Sequence, residues 1–349
     1  MRVELHDDHL RVVAPDHHAD FHLRWLRHNC DVDRHPATGE RTVESAELPD
    51  ELAVADAAID DGALRVTWVH DGRVSRYPLA WLAQHAYAVE RAAVPRPPSD
   101  VAAIELDGSA GPASVAGDLL ARVAERGAAL VRRETASPES ETEAWIAALE
   151  GRGLGLVGTH FGRIEDLRTD NTTNANTDQL GYTDAAIELH TDQPFLDEPP
   201  RYQLLQGIRA ADRGGDTTLA DGEAAYRYLA SLDGEAADLL AATPVRFHRR
   251  QRAFEREVIA PIVEVRGGRV RVRSSYFTVA PYRLPFERMT AWYRAHDRFV
   301  RLLRDPRHHY AFRIRPGDAL LYDNRRMLHG RTAFAGARWV RGVYFDDPR

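Results

Sequence analysis

The sequence predicts a mainly β protein with flanking helices: a double-stranded β-helix, or jelly roll, preceded by a small α+β domain. Three observations predict it. Short apolar segments bounded by turn residues recur through most of the 349 residues, and paired sheets bury many such strands economically. Only a few stretches carry helical spacing. A proline-rich segment, Val94-Pro95-Arg96-Pro97-Pro98-Ser99-Asp100, separates residues 1–93 from residues 101–349.

In residues 1–93, Leu10-Arg11-Val12-Val13 and Leu64-Arg65-Val66-Thr67-Trp68-Val69 largely alternate apolar and polar, as half-buried strands do. Asp60-Asp61-Gly62 and His70-Asp71-Gly72 supply turn chemistry, and a short helix is expected over 78–87. Beyond the linker, helices are expected over 114–126 and 138–150, the second with Ser137 as N-cap and Pro138 at its first position. Residues 127–132 between them read as a buried strand. Further strands are expected at 202–208, 258–265, 270–274, 310–314, 319–323 and 339–345, with helices over 222–241 and 285–304. The polar stretch 168–178 is poor in apolar residues and reads as a loop that could act as a lid.

Composition narrows the function. Formal net charge is −7, which argues against a nucleic-acid partner. All 46 basic residues are Arg, so Lys-based Schiff-base or nucleophile chemistry is excluded. The single cysteine, Cys30, excludes an intrachain disulfide and a four-cysteine zinc site. There is no apolar run of signal-peptide or membrane-span length, so a cytoplasmic protein without membrane attachment is expected.

The chemistry is carried by two distant segments. His190-Thr191-Asp192 places a histidine and a carboxylate two residues apart, on one face if the segment is a strand. His329, in Leu328-His329-Gly330-Arg331, can complete a two-His, one-carboxylate set. Such a set holds Fe(II) on one side and leaves the other side open for substrate and O2. Arg338 and Arg341 follow, and an Arg fork matches the distal carboxylate of 2-oxoglutarate.

The run from His190-Thr191-Asp192-Gln193-Pro194-Phe195 through Gly214-Gly215-Asp216-Thr217 to Leu328-His329-Gly330-Arg331 resembles the γ-butyrobetaine hydroxylase and trimethyllysine hydroxylase branch of the taurine dioxygenase-like superfamily. The small domain is similar as well, over Phe21–Cys30, Arg34–Arg41 and Leu79–Leu82. The resemblance implies an Fe(II)/2-oxoglutarate-dependent dioxygenase that hydroxylates a small cationic, betaine- or amino-acid-like substrate and releases succinate and CO2. It implies His190, Asp192 and His329 as iron ligands, and Thr217 as a hydroxyl donor to the co-substrate. Arg338 is its first choice for the 2-oxoglutarate carboxylate and Arg341 the second.

By position, the resemblance places Phe161, Tyr182 and Tyr344 in an aromatic cage for the substrate cation, with Glu165 where a large aromatic is common. A carboxylate there leaves open a substrate with N–H donors. Arg163, Asn174, Asn176 and Gln179 are close enough in sequence to contact substrate. Relatives bind a structural zinc in the small domain through three cysteines and a histidine. Here Cys30, Asp33, His35 and His70 are what remains, and a degenerate site without metal is the expectation. The same domain implies a homodimer.

Three other readings stay open. One is an oxygenase acting on an aminophosphonate or a natural-product intermediate. Another is a zinc hydrolase on the same triad, with Glu188 as general base, and the third is a non-catalytic binder.

Overall fold

The computed structural model describes residues 1–14, 18–38, 41–85, 100–169 and 180–348. The chain divides into two compact units, Met1–Glu90 and Arg91–Arg349. Of the predicted linker only Asp100 is described; its carboxylate accepts from the Ala102 N–H at 2.9 Å and starts a short turn. The lid segment lies outside the described residues from 170 onward.

The first unit holds two three-stranded antiparallel sheets, Arg2–Leu5, His9–Val13 and His18–His22 in one, Val54–Asp60, Ala63–Trp68 and Val74–Pro78 in the other. The alternating residues Leu10, Val12, Leu64, Val66 and Trp68 point inward and pack with Leu26 and Cys30. The predicted helix over 78–87 is observed as Leu79–His85, and its last two predicted residues lie outside the described ones.

Of the candidate zinc ligands of this unit, Cys30 and Asp33 meet, but around a guanidinium. Arg27, 3 % exposed, donates to Cys30 Sγ at 3.0 Å, to Asp33 Oδ2, and to Asp71 Oδ2 at 2.7 Å. The Cys30 thiol donates to the same Asp33 oxygen at 3.2 Å, and Arg73 holds Asp33 Oδ1 at 2.6 Å. His35 is exposed, and His70 lies 3.3 Å from Asp71. A guanidinium therefore stands among the thiol and the carboxylates, where it repels any second cation.

The second unit is built on two facing sheets. One orders Glu165–Arg168, Trp339–Asp346, Tyr202–Arg209, Ala319–Asp323, Ala128–Arg132 and Glu105–Asp107, with Gly155–Val157 also pairing with Trp339–Asp346. The other orders Ile187–His190, Met327–Arg331, Thr217–Asp221 and His309–Phe312. Leu130, Leu205, Leu320 and Val340 from the first pack against Leu219, Tyr310 and Met327 from the second. Ala129, Leu204, Leu321 and Val343, at the opposite strand parity, face outward beneath the helices Pro112–Arg126 and Thr142–Glu150. The larger sheet is thus buried on both faces, which explains its near-continuous apolar runs. Gly222–Leu232, Gly234–Ala242 and Phe286–Leu303 cover the far side of the smaller sheet, where Ala220 and Leu328 join their cluster.

Three expected elements need correction, and one strand was not expected. The helix over 138–150 opens as a tight 3-10 turn, Pro138–Glu141, and Ser137 makes no side-chain capping bond. The helix over 222–241 is two helices, because Asp233 leaves helical geometry and caps the second by accepting from Ala236 N–H at 2.9 Å. The strand over 258–265 breaks after Pro261 into Phe254–Pro261 and Val263–Arg266, as a residue without an N–H cannot sustain the ladder. Its partner Pro244–Gln251 has no counterpart in the expected elements.

Candidate active site

The Ile187–His190 strand pairs antiparallel with Met327–Arg331, and His190 stands directly opposite His329. Their ring centroids are 4.2 Å apart. Gly330 permits this close pairing: a Cβ there would lie 2.8 Å from the Ile187 carbonyl oxygen and 2.9 Å from Thr218 Oγ1.

The strand ends at His190, so Asp192 is not placed by strand alternation. Side chains hold it instead. Asn324 accepts from the Asp192 N–H at 2.7 Å and donates to the Asp192 carbonyl at 3.0 Å. Thr191 between them bonds to the Ser274 backbone in both directions. The chain then turns through Gln193, whose φ of 54° is one of two positive values outside glycine among the described residues.

The result is a compact donor set. Asp192 Oδ1 lies 3.2 Å from His190 Nε2 and 4.0 Å from His329 Nε2, and one ligand atom from each residue fits within 4.8 Å of the others. His190 Nδ1 is 2.9 Å from the Glu188 carbonyl, which makes it the protonated nitrogen and leaves the Nε2 lone pair facing Asp192. Burial, reinforced by the neighbouring His190, pushes His329 down to about 3, so its imidazole is neutral and able to ligate. Burial alone would raise Asp192. The two imidazoles and the Tyr344 hydroxyl outweigh it and hold the carboxyl well below its ordinary range. A neutral His329 imidazole beside an ionised Asp192 carboxylate suits a divalent metal.

A cavity opens from this set between the two sheets. Phe161, Glu165, Thr217, Arg338 and Tyr344 line it together with the triad. Arg338 makes no ion pair among the described residues; burial and nearby Arg331 both press its pKa downward. A guanidinium so placed calls for an anion, which fits the distal carboxylate of 2-oxoglutarate. Thr217 is buried in the strand Thr217–Asp221, opposite Arg331, and lines the same cavity.

Arg341 is a correction. Its guanidinium is engaged by Asp166 at 2.9 Å and by Glu139, away from the cavity lining. Tyr182 is a second correction: it is buried behind the wall and donates to Glu165 Oε1 at 3.2 Å. Tyr344 lines the cavity, but its hydroxyl donates to Asp192 Oδ2 at 2.7 Å. Arg163 pairs with Glu143 on the surface, whereas Asn174, Asn176 and Gln179 lie outside the described residues. Glu188 is exposed and pairs with Arg304 at 3.1 Å, so it is no general base for a hydrolase.

Gln203, Phe277, Arg249 and Asn324 belong to the site or support it, and sequence reading missed them. Only the pairing of remote strands brings them there, and no local spacing signals that.

A mainly β scaffold carrying two histidines and a carboxylate, with a guanidinium on the cavity wall that has no ion pair among the described residues, has the layout of a non-haem iron oxygenase. The taurine catabolism dioxygenase TauD, TfdA family matches residues 95–344, and the chain belongs to that family. It is an Fe(II)- and 2-oxoglutarate-dependent dioxygenase. It is 31 % identical to the gamma-butyrobetaine dioxygenase of Pseudomonas sp. (strain AK-1), over 93 % of this chain and 87 % of that protein. It is 25 % identical to the trimethyllysine dioxygenase of Meyerozyma guilliermondii, over 94 % of this chain and 88 % of that one. Among solved structures, asparagine oxygenase in complex with Fe(II), 3-hydroxyasparagine and succinate superposes with a TM-score of 0.53. That match, at 17 % identity, covers 67 % of this chain and 80 % of the other, and speaks for the fold.

Proposed function

We propose that this chain hydroxylates an unactivated C–H of a small cationic substrate, with His190, Asp192 and His329 as the iron ligands and Arg338, aided by Thr217, holding 2-oxoglutarate. The single observation that carries the reading is the triad, closed to within 4.8 Å at the wall of a cavity that also bears the Arg338 guanidinium. Bound iron supplies the oxygen activation that couples decarboxylation of 2-oxoglutarate to hydroxylation. The chain's residues orient both substrates and exclude water. We read the two facing sheets as a double-stranded β-helix. A cytoplasmic homodimer follows from the resemblance of the small domain and from the reducing conditions that Fe(II) needs.

The substrate's cation belongs beside Glu165. This carboxylate is 4 % exposed, sits on the cavity wall and accepts from Tyr182. The curated relatives act on trimethylated cations, which cannot donate hydrogen bonds. A buried carboxylate gains more from N–H donors, so a primary ammonium or guanidinium is the favoured partner.

The test is succinate formation by anaerobically reconstituted Fe(II) protein exposed to O2. The substrate panel holds γ-butyrobetaine, trimethyllysine, their unmethylated amines and aminophosphonates. Stimulation by an unmethylated amine supports the Glu165 assignment, whereas stimulation by trimethylated members alone overturns it. Succinate release that persists in Asp192→Ala would sink the triad assignment.

A further inference from the structure

Tyr344, Gln203 and Tyr322 lie in one row across three adjacent strands. Gln203 is the register partner of Tyr344 on one side and of Tyr322 on the other. All three are buried, at 4 %, 1 % and 0 % exposure. The Tyr322 hydroxyl bonds to Gln203 Oε1, Gln203 Nε2 lies 2.9 Å from the Tyr344 oxygen, and that oxygen lies 2.7 Å from Asp192 Oδ2.

The direction of every bond is set by its last acceptor. An ionised Asp192 can only accept, so Tyr344 spends its one proton there. Tyr344 must then accept from Gln203, which turns the amide NH2 toward it and the amide carbonyl toward Tyr322. Tyr322 has to donate. No member can reverse without leaving a buried polar group unpaired. Asp192 is thereby divided: Oδ2 is taken by Tyr344, and Oδ1 is the oxygen nearer both imidazole Nε2 atoms.

We propose that Tyr322, Gln203 and Tyr344 form a positioning relay that makes Asp192 a one-oxygen ligand, keeping three iron positions open for 2-oxoglutarate and O2. Tyr344 acts through Asp192 with its hydroxyl while its ring lines the cavity. The inference rests on the triad as the iron site.

The experiment measures anaerobic Fe(II) affinity, and the visible absorption band of the Fe(II)·2-oxoglutarate complex, in wild type, Tyr344→Phe, Tyr322→Phe and the double variant. Thermal melts of the metal-free proteins report folding. Tyr344→Phe is expected to weaken Fe(II) binding by about 10- to 100-fold, the range for lost support of a metal ligand, and to shift the band. Tyr322 does not line the cavity, yet Tyr322→Phe should move both readouts the same way by a few-fold. The double variant should be no worse than Tyr344→Phe, since both act through one bond. Unchanged iron binding and band in Tyr344→Phe would overturn the proposal, as would fully additive losses. A wild type that fails to bind Fe(II) would overturn the triad reading itself, and the relay with it.

Discussion

Arg338 and Arg341 lie three residues apart and have opposite fates. Arg338, Val340 and Tyr344 share strand parity and line the cavity, while Arg341 faces away and is held by Asp166 and Glu139. Arg338→Ala is expected to raise the KM for 2-oxoglutarate roughly thirtyfold or more, about 2 kcal/mol, with Fe(II) affinity kept. Arg341→Ala should leave that KM unchanged and lower the melting temperature instead. Steady-state kinetics and melts on both variants check the assignment, and a KM effect confined to Arg341→Ala would reverse it. At this scale the triad was legible because its motifs are short and its residue types specific. The hydrogen bonds of Tyr182 and Tyr344 were not legible, because residue type cannot tell which end of a tyrosine does the work. Here the hydroxyl groups serve carboxylates, Glu165 and Asp192.

Between elements, the pairing that matters most is Ile187–His190 with Met327–Arg331, since it sets the spacing of the two histidines. Gly330 is the point of closest approach. Gly330→Ala would require the strands to part by several tenths of an ångström, and overpacking of this kind costs about 1–3 kcal/mol. The expected result is a folded protein with a lower melting temperature and weakened Fe(II) binding, measured anaerobically by calorimetry. Undiminished affinity would show that the ligand spacing does not depend on this pair. Strand positions such as 319–323 were readable from apolar runs bounded by turns. The register that aligns Tyr322, Gln203 and Tyr344 was not, because it joins segments more than a hundred residues apart. The helical period also ran straight through Asp233, hiding a cap whose effect depends on the φ of −154° that it adopts.

For the whole chain, acid and chelators should act selectively. Burial pushes His160 down to about 4, against the pull of its Gln251 hydrogen bond, and His329 down to about 3. Both lie below the unfolded value of about 6.5, so the unfolded chain binds more protons throughout that interval. Their contribution to stability is full above about pH 6.5 and is lost as pH falls toward 4, a slope that urea titrations across that range would reveal. Fe(II) should raise the melting temperature of the larger unit at neutral pH, and EDTA should reverse the gain.

The smaller unit should ignore EDTA. Arg27→Ala, which removes one of the two guanidiniums that Asp33 and Asp71 share and leaves Arg73, should destabilise it by about 3 kcal/mol, read by hydrogen exchange in residues 1–85. Chelator-sensitive exchange there would refute a metal-independent fold.

The guanidinium at the centre of that unit is a cross-link written into the chain itself. A bound ion must be acquired, can be stripped away, and ties folding to what the surroundings supply. Arg27 arrives with the polypeptide in fixed one-to-one proportion, so the small unit can close as soon as its residues have been synthesised. That cross-link needs no metal from the surroundings.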